Sequence, residues 1–372
     1  MKISGSLFFI LIGFLAMAQT NPRVRSFGIT PGVMQTGPNN SITDVQGVKV
    51  GHRTKIEGDS IRTGVTAIIP HPDNIFLEKV PAAIFVGNGF GKLAGSTQVE
   101  ELGQIEAPII LTNTLAVGTA LNATLKYQLS LPNMENIRSI NVVVGETNDG
   151  TLNDIRGMHL QETDILQAIT SASNSMLQEG NVGAGTGTIA FGYKGGIGTS
   201  SRWLPPKMGG YTVGVMVQAN FGGVLQIDGI PIGKILNQHP MKNAYQDVDG
   251  SCMMVVATDA PLDARNLKRL AQRAMLGLAR TGGIASNGSG DYVIAFSTAK
   301  QARIPYRNDD FLLPSVQYLP NDRMSPLFLA TIEATEEAIY NALFAAETMT
   351  GNGHTIPAFP IDSLLPYIDS NR

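Results

Sequence analysis

Ser251 stands where a serine could supply its own base. It opens the apolar run Cys252–Ala257, directly behind Val248-Asp249-Gly250. A serine hydroxyl is a weak nucleophile until a base takes its proton. If the chain is cut between Gly250 and Ser251, the new terminus carries an α-amine with an ordinary pKa of about 8. Burial lowers that value further. Nucleophile and base then belong to one residue. Glycine before the serine suits such a cut, because it tolerates strained dihedrals and lets the hydroxyl reach its carbonyl. Asp-Gly-Ser is also an ordinary turn into a strand, and these residues alone leave the choice open.

Other chemistries are poorly provided for. The five histidines, His52, His71, His159, His239 and His354, show no metal-ligand spacing. No metal and no organic cofactor is expected. Gly91-Lys92 is followed by Leu93, and Val86 occupies the place of the first glycine, so there is no phosphate-binding loop. Gly183-Ala184-Gly185-Thr186-Gly187 looks like a dinucleotide loop. No clear strand precedes it and no helical pattern follows, so it reads as a structural loop. There is no G-x-S-x-G nucleophile elbow.

The elements that must hold Ser251 alternate between strand-like and helical runs. Val65–Ile69, Ala82–Val86, Ile140–Val144, Tyr211–Ala219, Cys252–Ala257 and Tyr292–Ser297 read as strands, several apolar on both faces. Leu267, Leu270, Ala271, Ala274 and Leu278 share one face of a helix over Pro261–Thr281. Asp259 is its expected cap, Pro261 its first turn and Gly282-Gly283 its end. A second helix is expected over Ala330–Thr348, burying Ile332, Ile339, Leu343 and Ala346. A sheet with helices on its faces follows. There is no long linker, repeat or low-complexity tract, and residues 19–372 read as one domain.

Composition narrows the partners. A net charge of −3 over 372 residues suits neither nucleic acid nor an anionic membrane. Charged residues are only 15% and apolar ones 43%, which fits a large core or buried subunit contacts. One cysteine, Cys252, excludes an internal disulfide and reads as a small buried hydrophobe. Lys2, the apolar Leu7–Leu15 and the small-residue site Ala16-Met17-Ala18 form a secretory leader, with cleavage expected after Ala18. The mature chain is expected in the periplasm or secreted, with no membrane attachment.

Longer blocks carry a resemblance. Asp249–Gly283 followed by Asn287–Ala299, with "ITDVQGVKVGH", "GNGFGKLAGSTQVEELG", "TNTLAVGTAL", "VVGETNDGTLNDIRG", "KGGIGTSSR" and "VGVMVQANFGG" upstream, resembles the DmpA and β-peptidyl aminopeptidase family. The blocks occur in the family's order and cover most of residues 27–350. The resemblance implies an α/β fold, a four-layer α/β/β/α sandwich like the N-terminal-nucleophile hydrolases but with its own connectivity. It implies self-cleavage at Gly250–Ser251 into residues 19–250 and 251–372, which stay together and assemble into oligomers, often of four pairs. It implies release of N-terminal residues, L-, D- or β-, from short peptides, amides and esters.

Site residues follow from the same likeness. Ser251 matches the nucleophile. Ser289 and Asp291 match a serine and a carboxylate behind it, where some relatives carry glutamate. Asn220 matches an oxyanion-hole donor. Glu146 matches a carboxylate that binds the substrate's ammonium. Some relatives add a tyrosine two places after that glutamate; here the place is Asn148. Asn113 and Asp149 are neighbours of lesser weight. The alternatives are an acyltransferase akin to the ornithine acetyltransferases, which use threonine as the new terminus, and an exported binding protein of the same fold without catalysis.

Overall fold

A computed structural model describes residues 22–242, 250–306 and 315–369; the leader expected at residues 1–18 lies outside them. In chain order the main strands begin with β1 (Lys49–Glu57), β2 (Ile61–Ile69), β3 (Glu78–Gly89), β4 (Leu93–Ala94), β5 (Ile109–Asn113) and β6 (Val143–Thr147). A short hairpin, β7 (Ile189–Ala190) and β8 (Tyr193–Lys194), leads into β9 (Gly196–Trp203), β10 (Thr212–Asn220), β11 (Gly250–Thr258) and β12 (Ser289–Ser297). The main helices are α1 (Val117–Leu129), α2 (Glu162–Thr170), α3 (Ala264–Arg280) and α4 (Ser325–Phe344).

Two sheets result. One runs β1-β2-β5-β6-β4; the other has β9-β10-β11-β12-β3 as its backbone, with two short strands added to β3. Strand alternation sorts the core into layers. Cys252, Met254 and Val256 of β11 pack with Leu267, Leu270 and Ala274 of α3 and Ala334 and Ala338 of α4. Met253, Val255 and Ala257, the residues between them, meet Ile109, Leu111 and Val143 of the facing sheet. The far side of that sheet, with Val65, Ala67, Ile110 and Val144, is covered by Ala120 and Ala123 of α1 and Ile165 and Ala168 of α2. The order is helix, sheet, sheet, helix, the expected α/β/β/α sandwich. β11 is apolar on both faces because both faces are covered.

Two local expectations are corrected. Asp263, not Asp259, caps α3, accepting from Asn266 N at 2.8 Å. Asp259 instead accepts from Thr212 N at 2.8 Å, and Ala260 and Leu262 are buried in the core before the helix begins. In α4, Ile332 is only partly buried, while Glu333 and Glu337 point inward. The cause lies on β9: Arg202 is fully buried there and bonds both carboxylates, Glu333 at 3.0 Å and Glu337 at 2.8 Å. Hydrophobic periodicity cannot anticipate a buried charge that is paired.

Candidate active site

Ser251 is the second residue of β11, at the end of the sheet where β10 finishes and β12 starts. β10 runs antiparallel to β11 and sets Asn220 opposite Ser251. β12 runs parallel and sets Ser289 opposite Gly250, Gly290 opposite Ser251 and Asp291 opposite Cys252. Four of the expected residues therefore meet on three adjacent strands, and all four are buried. In the uncut chain the Ser251 hydroxyl donates to the Gly250 carbonyl at 2.5 Å and accepts from Gly290 N at 3.3 Å. The hydroxyl thus rests against the bond it would have to break.

As expected, Gly250 lets the Ser251 hydroxyl reach its carbonyl, and close packing gives a second reason for glycine there. It is the first residue of the strand. A Cβ there would lie 2.7 Å from the Asn220 carbonyl and 2.7 Å from Phe221 Cα. Close approach of the β10 end requires glycine at this position.

Asn220 and Ser251 face the same side, toward the other sheet. Asn220 Oδ1 accepts from Ile189 N at 2.9 Å, which turns its Nδ2 the other way. Two residues earlier on the same face, Gln218 Nε2 bridges to Thr147 Oγ1 at 2.8 Å and the Ala184 carbonyl at 2.9 Å.

Ser289 and Asp291 share the opposite parity, with Cys252. No bond joins Ser289 to the Ser251 hydroxyl, and the Ser289 Oγ and both Asp291 carboxylate oxygens lack a hydrogen-bond partner of good geometry. Parity places this pair beside the backbone at residues 250 and 251, not beside the hydroxyl. Burial pushes Asp291 up to about 6, with the neighbouring Ser289 hydroxyl and Cys252 amide opposing the rise. Burial, with the Asp291 charge behind it, pushes the Cys252 thiol well above its usual value, so it packs as a neutral side chain.

Glu146 lies on β6, next to Gly145, whose Cα is packed against Met253 of β11. It is buried, and its carboxylate accepts from Lys92 N at 2.9 Å and from the Thr114 hydroxyl. The half-exposed Lys92 ammonium is 3.5 Å away. The segment Asn88–Lys92 joins this carboxylate to the serine. Phe90 N donates to the Ser289 carbonyl at 3.2 Å, the Phe90 carbonyl covers Gly290, and Gly91 sits between Glu146 and the Tyr292 hydroxyl. Lys92, Thr114 and Tyr292 lie inside the blocks that carry the resemblance, but the sequence assigns them no role at the site.

The remaining expected residues divide. Asn148 is exposed, and its Oδ1 accepts from Gly150 N at 2.9 Å in a turn. Asp149 and Asn113 enter a buried network through Thr63: its hydroxyl donates to Asp149 at 2.6 Å and accepts from Asn113 Nδ2 at 2.8 Å. Asn113 Oδ1 also accepts from Leu115 N and Ala116 N at the approach to α1. These two hold the β5 and β6 ends in place and do not touch Ser251.

The family model described as Peptidase family S58 matches residues 40–356. The β-peptidyl aminopeptidase BapA of Sphingosinicella microcystinivorans is 39% identical, over 94% of this chain and 93% of that protein. A solved structure from Pyrococcus horikoshii OT3 superposes with a TM-score of 0.87 at 46% identity, covering 94% of this chain and 99% of that one. The L-aminopeptidase D-Ala-esterase/amidase of Ochrobactrum anthropi, described as a prototype serine aminopeptidase and a variant of the Ntn-hydrolase fold, superposes with a TM-score of 0.87 at 36% identity, over the same shares of each chain.

Proposed function

We propose a mechanism from one premise: the chain belongs to peptidase family S58, and it is a self-processing aminopeptidase. Cleavage falls between Gly250 and Ser251. Ser251 Oγ attacks the Gly250 carbonyl carbon, the C–N bond breaks with the proton going to the Ser251 nitrogen, and Gly250 is left as an ester on Oγ. Water hydrolyses that ester to give the Gly250 carboxylate and a free Ser251 hydroxyl and amine. The observation that carries this reading is the Ser251 hydroxyl held on the Gly250 carbonyl, opposite Asn220. Sequencing the N-terminus of each fragment tests it.

In turnover the freed amine takes the hydroxyl proton as Oγ attacks the first carbonyl of a peptide; the C–N bond breaks, the proton passes to the leaving peptide nitrogen, and water then hydrolyses the ester on Oγ to release the first residue and restore the hydroxyl. Asn220 Nδ2 donates to the oxygen that becomes negative. Ser289, the register partner of Gly250, is read as lying beside the new amine with Asp291 behind it, where a carboxylate favours the protonated amine. Burial raises Asp291 to about 6 in the uncut chain, and an ammonium freed beside it opposes that rise. Activity is expected to fall on the acid side as the Ser251 amine, the base, takes up a proton. Asp291→Asn removes the charge that favours the protonated amine, so the acid limb of kcat/KM against pH should move to lower pH, with a lower plateau. An unchanged profile in the variant would remove Asp291 from the relay.

Glu146 receives the substrate's ammonium, in exchange for Lys92. Its carboxylate is already oriented by the Lys92 amide and the Thr114 hydroxyl. Charged hydrogen bonds of this kind contribute about 1.5–3 kcal/mol. Glu146→Gln should cut kcat/KM on amino-acyl amides roughly 10- to 150-fold while self-cleavage proceeds. Full kcat/KM in that variant would sink the assignment. Peptides with a terminal β-residue are the first class to assay, given relatives named β-peptidyl aminopeptidase; α-L- and α-D-residues complete the panel. The leader-like Leu7–Leu15 and Ala16-Met17-Ala18 support export of the mature protein. The two pieces are read as remaining together, in larger assemblies.

A further inference from the structure

Lys194 is an anomaly that the mechanism above does not use. It is fully buried, on the short strand β8. Its ammonium donates to three backbone carbonyls: Gly185 at 2.9 Å, Thr188 at 2.9 Å and Gly195 at 2.7 Å. Among the described residues no carboxylate lies within ion-pair distance of it. Burial lowers its pKa to about 7, with the Asp149 charge opposing the fall. An unpaired buried ammonium is costly unless its protons are satisfied, and all three are.

The three carbonyls bracket the hairpin. Gly185 and Thr188 come before β7 and Gly195 follows β8, so the ammonium ties the two ends of one loop together. Gly195 N closes the same loop by donating to the Thr188 carbonyl at 3.0 Å. The residue after Thr188 is Ile189, whose N–H fixes Asn220 Oδ1. The loop is also seated on the end of β10: a Cβ on Gly195 would lie 2.3 Å from the Ala219 carbonyl, and Phe191 N donates to the Phe221 carbonyl at 2.8 Å.

We propose that Lys194 is a positioning residue for the reaction: by clamping the Gly185, Thr188 and Gly195 carbonyls it aims Ile189 N–H at Asn220 Oδ1, and so directs Asn220 Nδ2 toward the reacting carbonyl oxygen. The inference rests on the oxyanion role given above to Asn220. Lys194→Met keeps the stem and removes the three donors. It leaves the Asn220 side chain present but free to turn, and misplacement by about 1 Å can cost roughly 10^2-fold in rate.

The test is a double-mutant cycle of Lys194→Met and Asn220→Ala, read as kcat and KM on an amino-acyl amide and as the rate at which the Ser251 terminus appears. Asn220→Ala should lower kcat about 10^2- to 10^3-fold. Lys194→Met should lower kcat roughly 10- to 100-fold with KM unchanged, and should add little in the Asn220→Ala background. Wild-type kcat in Lys194→Met, or losses that multiply in the double variant, would overturn the proposal. Wild-type kcat in Asn220→Ala would instead sink the oxyanion role itself, whatever Lys194 does. Should Lys194→Met not fold, Lys194→Gln, which keeps a two-proton donor one bond short of the ammonium, takes its place: partial kcat with unchanged KM supports the clamp, and full kcat or a raised KM overturns it.

Discussion

Ser251→Ala is expected to yield one uncut chain with no measurable aminopeptidase activity. The unaltered protein should instead give a small fragment beginning Ser-Cys-Met-Met. With 39.6 kDa spread over 372 residues, that fragment is about 13 kDa, and its partner, from residue 19 to 250, is about 25 kDa. The physical ground is that one oxygen performs two attacks. Ser251 Oγ is the atom on the Gly250 carbonyl at 2.5 Å, and after cleavage it is the atom that meets substrate. Alanine removes both reactions and perturbs little else, since the side chain is small and buried. Loss of a nucleophilic serine costs on the order of 10^6 in kcat in a comparable hydrolase. A variant still cut at the same bond would mean that the scission is not serine-driven. An unaltered protein that stays whole yet hydrolyses amides would separate catalysis from processing.

Arg202→Met should have the largest effect on stability, about 3–5 kcal/mol, with little change in kcat for the molecules that remain folded. Arg202 joins β9, α4 and the chain at Pro31. Its Nε bonds Glu333, its Nη2 bonds Glu337 and the Pro31 carbonyl, and its Nη1 bonds Ser200 Oγ and the Ser201 carbonyl, all within 3.0 Å. Removing it leaves two buried carboxylates one helical turn apart on α4. Arg25 still pairs Glu337 at 2.6 Å, but Glu333 keeps only backbone donors, Val33 N and Met34 N. Burial alone would raise Glu337; the Arg25 hydrogen bonds and the Arg202 and Arg25 charges outweigh it and hold its pKa below the ordinary value. A depressed carboxyl stabilises the fold above its unfolded pKa, and that contribution is lost as pH falls through the folded pKa. In the variant the orphaned carboxylates gain by taking up protons. The deficit should therefore be larger at pH 8 than at pH 5, as read from urea midpoints. An equal deficit at both would point to lost packing, not to uncompensated charge.

How much of this was visible in the amino acids depends on the range of the interaction. The strands and α3 were legible because apolar runs and faces are local patterns, and β11 came through as a run because both its sides are covered. The cap of α3 was missed by four residues: Asp259 is as good a capping residue as Asp263, and only the burial of Ala260 and Leu262 decides between them. In α4 the charge pattern misled, since the partner of Glu333 and Glu337 sits on β9, more than 130 positions away. At the site, the residue types were recognised from blocks, but their faces were not. That Ser289 and Asp291 stand beside the backbone and not the hydroxyl follows from the parallel register of β11 with β12, which no single strand encodes. Lys194 gave one faint sign, a lone charge in the glycine-rich "FGYKGGIG".

The strand order of the second sheet has a consequence for how such a protein can come into being. β9 and β10 precede Gly250, β11 and β12 follow it, and β3, from the first part again, closes the far side. A cut at Gly250–Ser251 therefore leaves each part wedged into the other. Two separately made polypeptides would have to insert a buried strand pair, apolar on both faces, into a gap that the first part alone has no means of keeping open. Loop closure within one polypeptide avoids that encounter. With cleavage as proposed, the bond at 250–251 would act as a delivery tether: it would fix one-to-one stoichiometry and place β11 while the core forms, and would become dispensable once folding is complete.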